Sequence, residues 1–493
     1  MRLPAILASN KPALIVLVVL LASLAVNIVA IVDYPAWMDE AIISDLVYDY
    51  FRDTSYVSPD FLYATADEGR IYGPVYFYLQ TLLLNVLGDD PFVFRLANLL
   101  ASYLLVVVVA RLFQARTGDK KITVWLVVIL LLSFAINKSA VSGRMDMLAT
   151  LFAMFSLWCA HRYRDGSLRA LLASSLFASL AFLTTPRTLF LLPATLVLLG
   201  YAWVDQHGRK PDQRRMVLHV AIAALVFLGP IALWIQAVGG VREYAGLFLN
   251  PEMAQFYGPS VFRNWRDWIY LPVLLGVLLL HWRHIRRDPL VVACIATVIV
   301  FSLFVTEVGP YRAMIMPYIL LLGALAVGLA PDGERRSMAA LALAGVVLAI
   351  SIPFFVGRAV DIFYVNRDCR DAEDFERRVL ANVPKQLTIL ADYRFYYLLK
   401  GRPAIYSPGN IEDDDFFRRS GYPDRILLGE DSVERAAEPG SPLHPVLRDE
   451  YEVVTSYVCA VHDMGLGGIF ESRRNFHDAT LYRRKTVAGN AGQ

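Results

Sequence analysis

The sequence predicts a polytopic, all-α membrane protein with a small α/β domain at its carboxyl end. The chain of 493 residues is 56% hydrophobic and only 19% charged. Its mean hydropathy of +0.46 is higher than a soluble chain of this length would show. Apolar segments long enough to cross ~30 Å of hydrocarbon recur up to residue 357, whereas residues 358–493 are charged and mix short helical and strand patterns. We therefore expect a transmembrane module over residues 1–357 and a soluble domain over residues 358–493.

The first apolar run follows a basic start, as a signal peptide would. Its length and the absence of a small-x-small cleavage site instead predict a retained helix over residues 12–32. Further apolar segments lie near residues 74–88, 92–113, 122–140, 146–161, 169–184, 187–204, 217–238, 268–282, 289–306, 313–330 and 338–357.

The basic connectors predict the orientation of these segments. Arg, Lys and His cluster at residues 111–121, 161–169, 207–215, 281–287 and 335–336. The positive-inside rule places all five clusters in the cytoplasm, provided that the short segment 74–88 lies along the membrane surface as an interfacial helix. The result is about 11 spanning helices plus interfacial helices, with the amino terminus inside and residues 358–493 outside.

The four cysteines divide into two pairs by location. Cys159 and Cys294 fall inside apolar segments, which predicts buried free thiols. Cys369 and Cys459 lie in the domain that we expect outside the cytoplasm, where disulfides can form. We predict a Cys369–Cys459 disulfide, with two free thiols as the open alternative. The sequence has no cysteine or histidine spacing typical of a metal site.

Acidic residues recur at the outer membrane face that this topology defines. Asp39 and Glu40 follow the first span, and Asp146 begins the fourth. Acids at this depth are costly unless they are hydrated, paired or used in function. A solvated interfacial loop is the alternative interpretation of the Asp39-Glu40 pair.

Cations and aromatic residues occur at the same face. The cations are Arg70, Arg144, Arg187 and Arg312, and the aromatic residues include Tyr72 and Tyr311. An acid that accepts a proton, near arginines that hold an anionic group, suits transfer from a phosphate-linked donor. The aromatic faces suit sugar rings or isoprenoid chains, although they also fit an ordinary interfacial belt.

Five motifs, in this order and spacing, carry a family resemblance. They are "WMDE", "YGPVYFYL", "GDDPFVFRLANLLASYLLVVVVARLF", "SGRMDMLATLFAM" and "GPYRAMIMPYILLL", and they cover most of residues 30–330. With them the chain resembles the GT-C superfamily of glycosyltransferases that use polyprenyl-phosphate sugars. It is most similar to the group of lipid A aminoarabinose transferases and protein O-mannosyltransferases.

The resemblance implies roles for individual residues. It makes Asp39 the catalytic residue, Asp146 a second catalytic acid with Arg144 beside it, and Tyr311 and Arg312 contacts of the donor phosphate. The chain departs from the family motif at Gly73. The aminoarabinose transferases commonly have a Lys at this position, before the Pro that corresponds to Pro74. In the family that Lys would anchor the donor phosphate, and we expect Arg70 to take its place here. Glu40, Tyr72 and Arg187 complete the expected substrate-binding set, with no proton-transfer role for Glu40.

The implied function is an inverting transfer of a sugar, hexose or pentose, from polyprenyl phosphate to a hydroxyl of a lipid, glycan or protein. The enzyme would act as a monomer among the lipids of a bacterial cytoplasmic membrane, at its outer face. This chemistry requires no cofactor, and no DxD motif occurs, although a divalent metal stays open. Nothing in the sequence favours nucleic-acid binding.

Two other functions remain as alternatives. One is a transporter or flippase of lipid-linked glycans, which would place polar breaks and ionisable residues in the middle of the membrane, in related halves. The other is an oligosaccharide polymerase or ligase.

Overall fold

The computed structural model describes residues 11–34, 36, 38–52, 72–88, 90–207, 213–249, 265–305, 309–331, 333–365, 370–399, 402, 404–407, 421–438, 440–441, 443–457 and 477–485. These residues fall into two compact units. The helical unit comprises residues up to 28 and residues 70–355, and the tail unit comprises residues 29–69 and those from 356 onward. Composition gave no indication that residues 29–69 group with the tail. The functional division at residue 357 stays a prediction.

The described part of the helical unit consists mainly of apolar helices. Their bounds are Lys11–Asp33, Pro74–Leu87, Pro91–Thr117, Lys120–Leu132, Phe134–Ala140, Asp146–Arg162, Leu168–Phe182, Pro193–His207, Gln213–Ala237, Val241–Leu249, Trp265–Ile285, Pro289–Phe304, Gly309–Gly328 and Glu334–Val360. Two 3-10 helices, Tyr163–Asp165 and Pro186–Leu191, lie between them. The first and last of these α-helices continue into the tail unit.

Local sequence signals explain where several helices begin. Asp90 accepts a hydrogen bond from the backbone N–H of Phe92 at 2.9 Å, directly before the helix Pro91–Thr117. Asp119 and Asp288 cap the helices Lys120–Leu132 and Pro289–Phe304 in the same way. An aspartate that satisfies the first backbone donors of a helix is a preferred start, so these polar connectors fix the ends of apolar helices.

Several helices are suited to a membrane. Among the described residues, five helices are long and apolar enough to cross it, or six if the bent pair Lys120–Leu132 and Phe134–Ala140 forms one span. Shorter apolar helices accompany them, including Pro74–Leu87 with 14 residues. These helices support a multi-pass membrane protein. The count of about 11 spans and the interfacial position of residues 74–88 stay predictions.

The tail unit contains a five-stranded mixed sheet with order β2-β1-β3-β5-β4. The strands are β1 Ile389–Asp392, β2 Ala404–Ser407, β3 Arg425–Leu428, β4 Tyr451–Tyr457 and β5 Ala479–Arg484. Strand β1 is parallel to β2 and β3, and β5 is antiparallel to β3 and β4. The helices of this unit are Met38–Arg52, Ala372–Arg378, Tyr396–Leu399, Glu430–Ala437 and Leu443–Glu450, with a π-helix at Asp361–Val365.

Helices cover the central strands of this sheet. All four residues of β1 are buried, as expected for a parallel strand that is covered on both faces. One core cluster joins Leu390 and Ile426 of the sheet to Ala436 and Leu443 of the helices. The tail therefore has an apolar core that fixes the carboxyl end of β1.

Candidate functional site

Five of the predicted site residues meet in the helical unit, in what we call the Arg-Tyr cluster: Tyr72, Arg144, Asp146, Arg187 and Tyr311. They come from four separate parts of the chain. Tyr72 directly precedes Gly73 and the helix Pro74–Leu87, and Asp146 begins the helix Asp146–Arg162. Arg187 lies in the 3-10 helix Pro186–Leu191, and Tyr311 lies in the first turn of Gly309–Gly328. The fold thus brings together residues that are 239 positions apart in the printed sequence.

The two arginines of the cluster share the Tyr311 ring. The guanidinium of Arg187 lies 4.5 Å from the ring centroid, and that of Arg144 lies 5.7 Å from it. Arg187 also donates a hydrogen bond from Nη1 to the Tyr72 hydroxyl at 3.3 Å. Arg144 donates from Nε to Asp146 Oδ2 at 2.7 Å. These contacts hold both guanidinium groups in defined positions.

The cluster is buried and carries more positive than negative charge. Arg144, Asp146 and Arg187 are only 4%, 1% and 3% exposed, and the five side chains that define the cluster include two guanidinium groups and one carboxylate. Burial alone would lower the pKa of Arg144, but Asp146 and Tyr311 outweigh it, so that the pKa lies above its ordinary value. Buried guanidinium groups bind phosphate and carboxylate strongly through paired hydrogen bonds. The cluster can therefore hold an anionic group.

Tyr76 and Gln80 attach the helix Pro74–Leu87 to neighbouring backbone, and Tyr76 does so beside Arg144. The Tyr76 hydroxyl donates to the carbonyl of Gly143 at 2.8 Å, next to Arg144. Gln80, one helical turn further on, donates to the carbonyl of Phe94 at 2.8 Å. We had not predicted this role for either residue. The signal was available, since two polar groups four residues apart in an apolar helix share one face.

The structure explains the glycine at position 73. A Cβ atom there would lie 2.0 Å from the carbonyl oxygen of Leu183, and the neighbouring Val75 N–H donates to that same oxygen at 3.2 Å. No side chain fits at this close approach, so a lysine at position 73 would require the backbone around Leu183 to shift. Leu183 lies only four residues before Arg187. The contact between position 73 and Leu183 therefore has a cation close by in the sequence, Arg187, although position 73 itself has no lysine.

The remaining predicted site residues are placed as follows. Arg312 follows Tyr311 in the same helix and is partly buried. The backbone of Asp39 lies in the first turn of Met38–Arg52, while its side chain, Arg70, Cys369 and Cys459 lie outside the described residues. Cys159 and Cys294 are free thiols, as predicted; Cys294 is also buried as predicted, whereas Cys159 is half-buried. Among the described residues, no group of three or more His, Cys, Asp or Glu could hold a metal ion.

Glu40 lies in the tail unit and is buried, with 1% of its surface exposed. Its Oε1 accepts a hydrogen bond from the Tyr397 hydroxyl at 3.1 Å. Five residues later, Asp45 accepts one from the Tyr396 hydroxyl at 3.0 Å. The helix that carries Asp39 is therefore bonded to the carboxyl-terminal part of the chain.

Comparisons with known proteins gave one matching family model and several similar solved structures. Residues 72–234 match the family described as dolichyl-phosphate-mannose-protein mannosyltransferase. ArnT from Cupriavidus metallidurans in the apo state has a similar structure, with a TM-score of 0.57 and 15% identity over 96% of this chain and 98% of that chain. The same protein bound to undecaprenyl phosphate gives 0.56 and 14%, over 97% and 99%. The archaeal oligosaccharyltransferase AglB from Archaeoglobus fulgidus gives 0.49 and 12%, over 92% and 74%. No curated protein sequence matches the chain significantly.

The chain thus has the fold of a membrane glycosyltransferase. The prediction of a GT-C superfamily member is confirmed, because the family match and the shared ArnT fold both support it. The matched region contains Tyr72, Arg144, Asp146 and Arg187, which are four of the five residues of the Arg-Tyr cluster.

Proposed function

We propose that the chain is an inverting glycosyltransferase that moves a sugar from a polyprenyl-phosphate donor to a hydroxyl acceptor on a lipid, glycan or protein. The observation that carries this proposal is the buried Arg-Tyr cluster, four of whose five residues lie in the family-matched region. Its excess positive charge suits a phosphate that gains charge as the bond to the sugar breaks. The similar fold of ArnT, which binds undecaprenyl phosphate, supports a lipid-linked donor.

In the proposed reaction, Asp39 accepts the proton of the acceptor hydroxyl while its oxygen attacks the anomeric carbon. The bond from that carbon to the phosphate oxygen breaks, and polyprenyl phosphate leaves with the electron pair. A single displacement inverts the anomeric configuration. Arg187 and Arg144 of the cluster stabilise the leaving phosphate, with Arg312 and Arg70 as further contacts. Asp146 orients Arg144 through their ion pair.

The orientation in the membrane belongs to the same proposal. We place the reaction at the outer face of a bacterial cytoplasmic membrane, with about 11 spans and residues 358–493 outside, because the basic connectors favour it. The alternative function, which is transport and not catalysis, is that of a flippase for the same lipid. Purified protein in liposomes separates the two functions, since a flippase moves labelled donor across the bilayer without transferring its sugar.

Asp39→Asn tests the catalytic role. The amide keeps the size of the side chain but cannot accept the proton, so transfer of labelled sugar from purified lipid donor to envelope extract should fall ~10²–10⁴-fold. Binding of the donor should persist. Glu40→Gln is the matched variant one residue away, and it should cost much less. Near wild-type transfer by folded Asp39→Asn protein would rule out Asp39 as the base.

A further inference from the structure

We propose that Tyr396 and Tyr397 are positioning residues for transfer, because their hydroxyls hold the helix whose first turn carries Asp39. The inference rests on the proposed function through the role of Asp39. We call these two residues the tyrosine pair. They lie at the start of the short helix Tyr396–Leu399, in the tail unit, together with the helix Met38–Arg52.

Tyr397 contacts two residues on one face of that helix. Its hydroxyl donates to Glu40 Oε1 at 3.1 Å and lies 2.8 Å from Ser44 Oγ. A tyrosine hydroxyl has one proton, so Ser44 donates to Tyr397 when Tyr397 donates to Glu40. Residues four apart on a helix are neighbours, and a single tyrosine therefore fixes the first full turn.

Tyr396 adds a second attachment next to the first. Its hydroxyl donates to Asp45 Oδ1 at 3.0 Å, and its ring packs edge-on against that of Tyr397, with centroids 5.3 Å apart. Glu40 and Asp45 are 1% and 3% exposed. Buried carboxylates are costly without hydrogen-bond donors, so the tyrosine pair is part of what allows this helix face to be buried.

The tyrosine pair is itself attached to the sheet. Asp392 ends strand β1 four residues before Tyr396, and its carboxylate accepts hydrogen bonds from the Gly429 N–H at 2.7 Å and the Ser432 hydroxyl at 3.0 Å. Arg394 pairs with Asp478 at 2.8 Å, beside the start of β5. These bonds hold Asp392 at the end of β1 and Arg394 in the segment that leads to the tyrosine pair, so the sheet sets where the pair lies.

Asp39 directly precedes Glu40, so a shift of this helix turn shifts the base. A misplacement of about 1 Å can cost on the order of 10²-fold in rate. Tyr397 thus influences the reaction through the helix and without touching the substrate. The effect belongs to turnover and not to donor binding, because in our proposal the donor phosphate contacts lie elsewhere.

The test compares full-length Tyr397→Phe with wild-type protein. We expect turnover at saturating donor to fall roughly 10–100-fold while the donor KM stays unchanged. Glu40→Ala should lower turnover by a similar factor. Glu40→Gln should lower it less, because its amide oxygen still accepts a hydrogen bond from Tyr397. The double variant Glu40→Ala/Tyr397→Phe should lose no more turnover than either single variant. Tyr451→Phe is the matched control, since it removes another buried tyrosine hydroxyl of the tail, bonded to the Pro423 carbonyl at 2.7 Å, and should leave transfer unchanged.

Hydrogen exchange of the helix Met38–Arg52 gives a readout that does not depend on activity. Its amides should exchange faster in Tyr397→Phe than in wild-type protein or Tyr451→Phe. Wild-type turnover and unchanged exchange in Tyr397→Phe would overturn the positioning role. Faster exchange with unchanged turnover would also overturn it, because the helix would then be held without consequence for the reaction. A wild-type protein that transfers no sugar would instead refute the proposed function, and the exchange result would still decide whether the tyrosine pair holds the helix.

Discussion

At the scale of single residues, the Arg-Tyr cluster shows how the sequence pointed to chemistry. Arg187 stands in the connector "TTPRT", where an isolated cation between apolar segments has no obvious structural purpose. The structure places it 3% exposed, 4.5 Å from the Tyr311 ring centroid. A cation held on an aromatic face in a buried site is restrained and still able to bind an anion.

Arg187→Gln should weaken transfer through the donor phosphate. A hydrogen bond to a charged group contributes about 1.5–3 kcal/mol, so kcat/KM for the lipid donor should fall roughly 10–150-fold. Arg187→Lys should recover only part of the loss, since a lysine cannot offer a planar pair of donors.

The matched control for this prediction is Arg162→Gln. Arg162 also lies over an aromatic ring, 5.1 Å from the Trp158 centroid, but in a basic connector outside the cluster. Its replacement should leave donor kinetics unchanged. Equal effects of the two glutamine variants would assign the loss to general destabilisation and not to the phosphate.

At the scale of elements, the close approach of position 73 to Leu183 joins two connectors. The turn before the helix Pro74–Leu87 meets the residue that follows the helix Leu168–Phe182. Pro186–Leu191 begins three residues later and carries Arg187. Tyr72 and Arg187 therefore depend on a backbone contact that only glycine permits.

Gly73→Ala should destabilise the protein. The added Cβ would lie 2.0 Å from a backbone carbonyl oxygen, and overpacking typically costs about 1–3 kcal/mol, or more when backbone has to move. Thermal unfolding followed by size-exclusion chromatography in detergent should show a lower midpoint, together with reduced transfer.

Gly200→Ala is the control for this experiment. Gly200 lies in the helix Pro193–His207, and nothing is within 4 Å of the Cβ that would be added. Alanine is favoured over glycine inside a helix by about 1 kcal/mol, so this variant should be at least as stable as wild-type protein. A Gly73→Ala midpoint equal to that of Gly200→Ala would show that the contact with Leu183 relaxes without cost.

At the scale of the whole molecule, the sequence predicted the superfamily and named all five residues of the Arg-Tyr cluster as site residues, because hydropathy, charge and motif order can be read along the chain. The bond between Glu40 and Tyr397 could not be predicted, since it joins residues 357 positions apart. Nothing in either local pattern specifies that partner. The same reason applies to Gly73. Its departure from the family motif can be read from the sequence, but its contact with Leu183 cannot.

Orientation is the property of the whole molecule that the positive-inside rule predicts most directly. In a variant without native cysteines, Lys120→Cys lies in a basic connector at an exposed position, and Glu438→Cys lies in the tail, also exposed. Because five basic clusters should face the cytoplasm together, intact cells should protect Cys at position 120 from an impermeant thiol reagent. Cys at position 438 should be labelled, and permeabilised cells should label both. Labelling at position 120 from outside would invert the orientation, and Asp39 would then lie on the cytoplasmic side, away from an acceptor at the outer face.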